Sequence, residues 1–252
     1  MSIAVEQVEN LVVQVYETRS ELGKAAATKV SAKIKELLVK KDTVRMVFAA
    51  APSQNEFFEN LKKDSDIDWN RIVAFHMDEY IGLEAGAPQS FGTFLKTHLF
   101  EDVKPGAVHL IDSSQDVKDE LLRYESLIKE DEIDIICLGI GENGHLAFND
   151  PPVADFNDPK MIKVVELDEV CRQQQVNDGC FPTIENVPTH AITLTIPTLM
   201  SGNFLFCMVP GPTKRHAVRG LLEGPVSTEN PATILRRHPN CILFLDKESY
   251  GI

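Results

Sequence analysis

Apolar residues in residues 4–40 recur at three- and four-residue spacing, as at Val8, Leu11, Val12 and Val15 and later at Ile34, Leu37 and Leu38. This pattern predicts one long or broken helix at the start of the chain. The period then changes. TVRMVFAAA (43–51) reads as a buried strand, and Pro52-Ser53 followed by QNEFFENLKK reads as a turn entering a helix. RIVAFHM (71–77) is the next strand, SFGTFLKTHLF (90–100) a helix opened by Ser90, AVHLI (107–111) a short strand and DVKDELLRYESLIKE (116–130) a helix.

The most apolar strand candidate is IDIICLGIG (133–141); a long segment with Pro and Asn separates it from MIKVVEL and a helix near DEVCRQQQV. Strands AITLTI (191–196), NFLFCMVPG (203–211) and CILFLD (241–246) follow, with the helix TKRHAVRGLLEG before the last. Strand and helix alternate, and the strands are continuous in apolar residues. The expected fold is therefore a three-layer α/β/α arrangement, a mostly parallel sheet with helices on both faces. No repeat, low-complexity stretch or linker divides the 252 residues, so residues 1–252 are expected to form one domain. In such sheets ligands sit beyond the carboxyl ends of the strands. Chemistry is accordingly expected at Pro52-Ser53, Asp78-Glu79, Gly139 to Asp150 and Gly211 to Lys214.

Apolar residues at 43% and charged residues at 25% fit an ordinary globular protein that folds alone or as a compact homo-oligomer. The net charge of -13, with no Lys/Arg run, argues against nucleic acid as a partner. A phosphorylated metabolite needs only a few local cations and backbone N–H groups, and stays open. The five cysteines are widely spaced, odd in number and without a CxxC pair, which suggests neither a zinc site nor a disulfide framework and fits the reducing cytosol. The first residues lack a basic region followed by an apolar core, and no apolar run reaches spanning length. A soluble, unprocessed cytoplasmic protein, without contact to a membrane, is expected.

Among these segments, Gly139 to Asp150 (GIGENGHLAFND) carries three glycines, His145 and the pair Asn149-Asp150. Glycines allow close backbone approach to a ligand, and histidine is the residue type whose unperturbed side chain changes charge near neutrality, which suits His145 to proton shuttling; Asp150 would orient or tune it. A plain structural turn with a solvent-facing His fits the same residues. GIGENG matches GxGxxG, but HLAFNDPP is a poor helix start, which weakens a dinucleotide reading. Asp78 and Glu79 are neighbours on an extended segment and point opposite ways, so one carboxylate can enter a cleft as a base while the other faces away; a helix cap is the alternative. Ser53 is either an N-cap or an anion contact, and Lys214 and Arg172 are either surface charges or cations for that anion. The remaining histidines show no HExxH spacing and are read as surface or packing residues; no GxSxG elbow occurs.

Taken together, FHMDEYIGL, SFGTFLKTHLF, LGIGENGHLAFNDP, CRQQQ and PGPTKRHAV resemble the glucosamine-6-phosphate deaminase family, from Val44 through Asp246. The superfamily also holds 6-phosphogluconolactonases, whose DER-type and GHTASLFP-like segments are missing here. The resemblance implies a modified Rossmann-like sheet and conversion of an amino-sugar 6-phosphate to a ketose 6-phosphate plus ammonia, with no metal or organic cofactor. It implies that His145 assists ring opening, Asp78 moves the proton between C1 and C2, Asn143 and Asp150 orient or tune His145, and Ser53, Arg172 and Lys214 meet the phosphate. A lactonase and a sugar-phosphate sensor without turnover are the alternatives. Three positions depart from the family pattern: Asn143 stands where an acid is common, Asp150 where Glu is usual, and AAAPSQ where a Gly-rich phosphate loop is expected. The shorter Asp150 is expected to reach His145 less well unless the backbone shifts.

Overall fold

The computed structural model describes residues 2–84 and 86–252. Its first departure from the sequence pattern is at the start. Strands β1 (Ala4–Val8) and β2 (Leu11–Tyr16) form an antiparallel hairpin, not a helix. Leu11, Val13 and Val15 are fully buried, so the stripe that matters runs at a period of two, and the β-branched valines favour that extended form. Glu9 turns the hairpin with φ of 53°. Only from Arg19 does the predicted helix exist: α1 (Arg19–Leu38) starts where the Thr18 side chain accepts from the Glu21 N–H, and it buries Leu22, Ala26, Val30 and Ile34.

The other strands are β3 (Val44–Phe48), β4 (Ile72–His76), β5 (Asp78–Tyr80), β6 (Ala107–His109), β7 (Ile135–Leu138), β8 (Ile162–Glu166), β9 (His190–Leu194), β10 (Phe204–Val209) and β11 (Cys241–Asp246). Eight of them make one sheet in the order β1-β2-β11-β10-β7-β3-β4-β6, parallel throughout except for β1 at the edge. Helices α2 (Asn55–Leu61), α3 (Phe91–Leu95), α4 (Glu101–Val103), α5 (Val117–Lys129), α6 (Glu169–Asn177), α7 (Ile196–Met200), α8 (Arg215–Glu223) and α9 (Lys247–Tyr250) complete the order. Side chains alternate across the sheet. Met46 and Phe48 pack with α1 and with Phe57 and Phe58 of α2, whereas Val47 packs on the other face with Tyr124 and Ile128 of α5 and Val218 and Leu221 of α8. This is the expected three-layer α/β/α fold with a mostly parallel central sheet.

The second departure concerns MIKVVEL and AITLTI. They do not join the parallel sheet; β5, β9 and β8 form a separate three-stranded antiparallel sheet. Lys163 and Glu166 on β8 remain outside the core, which a strand buried on both faces would not tolerate. The chain crosses between the two sheets at Met77, whose carbonyl accepts from the Leu194 N–H at 2.8 Å. Asp78 stands at that crossing.

Candidate active site

Strands β10, β7, β3 and β4 are neighbours, and their carboxyl ends open into one pocket of about 530 Å³. The carboxyl edge of such a sheet is where α/β folds hold ligands. Ser53, Asp78, His145 and Lys214 all line it. Each comes from the turn after a different strand, as the alternation predicted.

Asp78 and Glu79 diverge as expected of neighbours on a strand. Asp78 faces the pocket and is buried, and its carboxylate has no hydrogen-bond partner among the described residues. Burial, with the nearby charges of Glu79 and Asp150, holds its carboxyl well above the usual carboxylate range. Glu79 turns to the start of α3, accepting from the Gly92 N–H at 2.9 Å, the Phe91 N–H at 3.1 Å and the Ser90 hydroxyl at 2.8 Å. Both early readings of the pair therefore apply, one to each residue: Asp78 enters the cleft and Glu79 caps a helix. Behind them, His76 is fully buried with Nε2 3.7 Å from Glu79. Burial works to raise the Glu79 carboxyl, but His76 and these donors together hold it below its ordinary value.

The segment from Gly139 forms a tight loop. The Gly141 N–H donates to the His145 carbonyl at 3.0 Å, and a Cβ on Gly141 would lie within 2.3 Å of the His145 ring. Glycine there is what lets the ring lie against the backbone. Gly144 adopts φ of +87° and packs on Asn230, leaving no room for a side chain. The ring so placed shows one edge to the pocket, while Nδ1 is buried 2.9 Å from Oδ1 of Asp150. That contact is close enough for charge pairing, although the ring N–H is not well aligned for a straight hydrogen bond. The short Asp150 reaches His145 because the backbone brings it there: Phe148 and Asn149, anchored to Thr193 and Leu194, hold the segment close enough.

Asn143 ties this arrangement together. Its Nδ2 donates to Oδ1 of Asp150 at 2.9 Å, and its Oδ1 accepts from the His145 N–H at 3.0 Å. Neither Asn143 nor Asp150 lines the pocket. Burial raises the Asp150 carboxyl, but His145, Asn143 and Cys171 outweigh it and hold the group below its ordinary range, so Asp150 is an anion at neutral pH.

Lys214 lies in the short turn Pro212–Lys214 that leads into α8, after Gly211 with φ of +95°. Asp246 fixes that turn by accepting from the Gly211 N–H. Lys214 is buried and forms no ion pair among the described residues; burial lowers its pKa, opposed by the charges of Asp178 and Glu142. On the facing turn, Ser53 Oγ accepts from Gln54 Nε2 at 3.1 Å, and Gln54 is itself fully buried. Arg172 is not brought to this group. Its guanidinium donates to the carbonyls of Ile184 and Val187 at 2.6 and 3.0 Å, and it lies outside the pocket lining. On a helix, the pocket-facing neighbours of Arg172 are instead Gln174 and Gln175.

Several residues here carried no sequence signal. Arg19 lines the pocket but spends its charge on Glu56 at 2.6 Å. Gln174 accepts from the Glu142 N–H at 2.8 Å and so links α6 to the His145 loop. Cys171, one helical turn before Gln174 and Gln175, is buried against Asp150. Only the run CRQQQ hinted at them. None of the described helices is long and apolar enough to cross a membrane.

Comparison with known proteins points the same way. A family described as glucosamine-6-phosphate isomerases/6-phosphogluconolactonase matches residues 17–243. A glucosamine-6-phosphate deaminase of Exiguobacterium sibiricum is 37% identical over 197 residues, 77% of this chain and 75% of that protein. One of Bacillus cereus is 34% identical over 220 residues, covering 87% of this chain and 82% of the relative. Among solved structures, a monomeric glucosamine-6-phosphate deaminase of the NagB superfamily superposes with a TM-score of 0.87 at 30% identity, over 95% of this chain and 98% of that one. A 6-phosphogluconolactonase from Thermotoga maritima shares the fold, with a TM-score of 0.77 at 23% identity over 94% of this chain and all of that one. With this fold, this pocket and these matches, the chain belongs to the glucosamine-6-phosphate isomerase/6-phosphogluconolactonase family.

Proposed function

We propose that the protein is an isomerising deaminase that converts an amino-sugar 6-phosphate, glucosamine 6-phosphate first of all, into a ketose 6-phosphate and ammonia. The observation that carries this reading is the pairing in one pocket of Asp78, a buried carboxylate without a partner, with His145, an imidazole backed by an anion. Proton removal next to a carbonyl needs a base whose pKa is drawn toward neutrality, and Asp78 has that environment. Opening a pyranose needs a group that moves a proton between the ring oxygen and the C1 hydroxyl. His145 can present Nε2 to the sugar while Asp150 stabilises the imidazolium.

In the open-chain aldehyde, Asp78 takes the proton from C2 and returns it to C1. The double bond so moved leaves an imine at C2, and water adds there as ammonia departs. Ser53 and Lys214 would hold the phosphate at the turns after β3 and β10, Lys214 supplying the charge. Asn143 and Asp150 act through His145 and do not touch the sugar. The relatives named as deaminases support this reaction over lactone hydrolysis. Five free cysteines support a reducing compartment such as the cytosol.

The test is release of ammonia and fructose 6-phosphate from glucosamine 6-phosphate by the purified protein, beside Asp78→Asn and His145→Gln. Turnover that both variants reduce by two orders of magnitude or more is expected. A panel of hexosamine 6-phosphates giving no turnover above those variants, together with hydrolysis of 6-phosphogluconolactone, would overturn it.

A further inference from the structure

Behind His145 three ligating groups of different elements converge. Nδ1 of His145, a carboxylate oxygen of Asp150 and Sγ of Cys171 all lie within 4.8 Å of one another, and all three residues are buried. Oδ2 of Asp150 is buried and has no hydrogen-bond partner among the described residues, and Nδ1 of His145, 2.9 Å from Oδ1 of Asp150, makes no well-aligned hydrogen bond. Buried polar atoms are almost always paired, so an unpartnered carboxylate oxygen beside a ring nitrogen and a thiol marks a place for something that bonds to all three. We propose that His145, Asp150 and Cys171 form a binding site for a thiophilic divalent cation of the zinc class, and that the ion arrests the enzyme when it binds.

The donor set decides the class of ion. One nitrogen, one oxygen and one sulfur suit zinc or cobalt, whereas magnesium and calcium call for oxygen ligands alone. Tetrahedral zinc keeps such ligand atoms roughly 3.3–3.6 Å apart. The 2.9 Å gap between His145 and Asp150 must therefore open slightly, and Cys171 must close in by up to about 1.5 Å. Water would complete the shell. As the Cys171 sulfur bonds to the ion, its proton passes to solvent, so binding tightens as pH rises.

Arrest follows from which atoms the ion takes. With Nδ1 on a metal and Asp150 drawn to the same ion, the imidazole loses the anion that stabilises its protonated form. Bound through Nδ1, the ring keeps its one proton on Nε2 and can no longer accept another on the pocket side. This second half of the proposal rests on the deaminase reading; the binding site itself does not.

The experiment titrates the full-length protein with cobalt(II) alone and follows the thiolate-to-cobalt charge-transfer absorption. Ammonia release from glucosamine 6-phosphate is measured in parallel against zinc. Wild type is expected to saturate at one cobalt per chain, to lose the band on adding zinc, and to lose at least nine-tenths of its activity as the site fills. Cys180, half-buried at the pocket, is the competing thiol, so Cys180→Ser is expected to keep the band. Cys171→Ser is expected to lose it and to resist zinc. Should that variant fail to fold by circular dichroism, His145→Gln, which also removes a ligand, is expected to weaken cobalt binding at least tenfold. No band at millimolar cobalt, or a band that survives Cys171→Ser, overturns the site. Full turnover at full occupancy overturns the arrest. A protein that shows the Cys171-dependent band but deaminates no hexosamine phosphate keeps the site and refutes the functional reading instead.

Discussion

The Asn143 amide bridges Asp150 and His145, donating to the carboxylate of one at 2.9 Å and accepting from the backbone N–H of the other at 3.0 Å. An acid at that position would put a second carboxylate against Asp150; the amide instead supplies a donor, which leaves Asp150 charged and pointed at the imidazole. Under the proposed reaction Asn143, which does not line the pocket, is a positioning residue. Asn143→Ala is expected to lower kcat roughly 10- to 100-fold, with KM changed much less, because it loosens the imidazole without touching the binding groups. Asn143→Asp is expected to move the acidic limb of the pH–rate profile upward, since two adjacent carboxyls share one proton. A KM effect as large as the kcat effect in Asn143→Ala would argue against this role.

Asp78 carries a cost in stability that a neutral substitute removes. Its folded pKa is raised by burial and by the charges of Glu79 and Asp150. Below the unfolded value of about 3.9 both states hold the proton and there is no cost. Above that value the unfolded chain loses its proton first, so stability falls as pH climbs to the folded pKa, and beyond it the whole cost is present. Asp78→Asn is therefore expected to raise Tm by a few degrees near neutral pH, with a gain that shrinks toward about pH 4. Thermal melts across that range check the sign, and a gain that grows in acid would contradict it.

The same environment should be visible in catalysis. The acidic limb of kcat/KM is expected above the ordinary carboxylate range, because the free enzyme must lose the Asp78 proton to act. Glu79→Gln removes a neighbouring negative charge, so that limb is expected to shift to lower pH. It also weakens the cap on α3, where the carboxylate accepts from Ser90, Phe91 and Gly92, and should cost roughly 1–3 kcal/mol of stability. A limb unmoved in a folded Glu79→Gln protein would show that the charge does not reach Asp78.

How much of this was legible in the sequence depended on whether the signal was local. Continuous apolar runs such as IDIICL and NFLFCM marked the central strands, and the turns after them held Ser53, Asp78, His145 and Lys214, which the structure does bring to one pocket. The hairpin at Ala4–Tyr16 was misread because Val8, Leu11, Val12 and Val15 satisfy a helical period while Leu11, Val13 and Val15 satisfy a strand's. What chose between them was pairing with β11, more than two hundred residues on, which no window along the chain contains. AITLTI reads as a strand, β9, but its place in the second sheet is invisible along the chain for the same reason. At the pocket, Cys171 and Gln174 came into view only once α6 had packed on the loop at Glu142 to Asp150.

Arg172 and Lys214 are both cations near the pocket in sequence terms, and the structure separates them. Lys214 lines the pocket, buried and without an ionic partner among the described residues, so its ammonium is open to an arriving anion. Arg172 is occupied by two carbonyls that close the segment between α6 and β9. If Lys214 meets the phosphate, Lys214→Met removes a charge-assisted contact of about 1.5–3 kcal/mol, or roughly 10- to 150-fold in KM for the hexosamine 6-phosphate. Binding of inorganic phosphate, followed by calorimetry, should weaken in proportion. Arg172→Met leaves the pocket's own donors in place, so KM is expected within about twofold of wild type while the melt shifts down by roughly 1–3 kcal/mol as two buried carbonyls lose their donors. The pair of variants must split in this way, with affinity lost in one and stability in the other. Equal KM effects in both would mean that the guanidinium leaves its carbonyls when substrate binds.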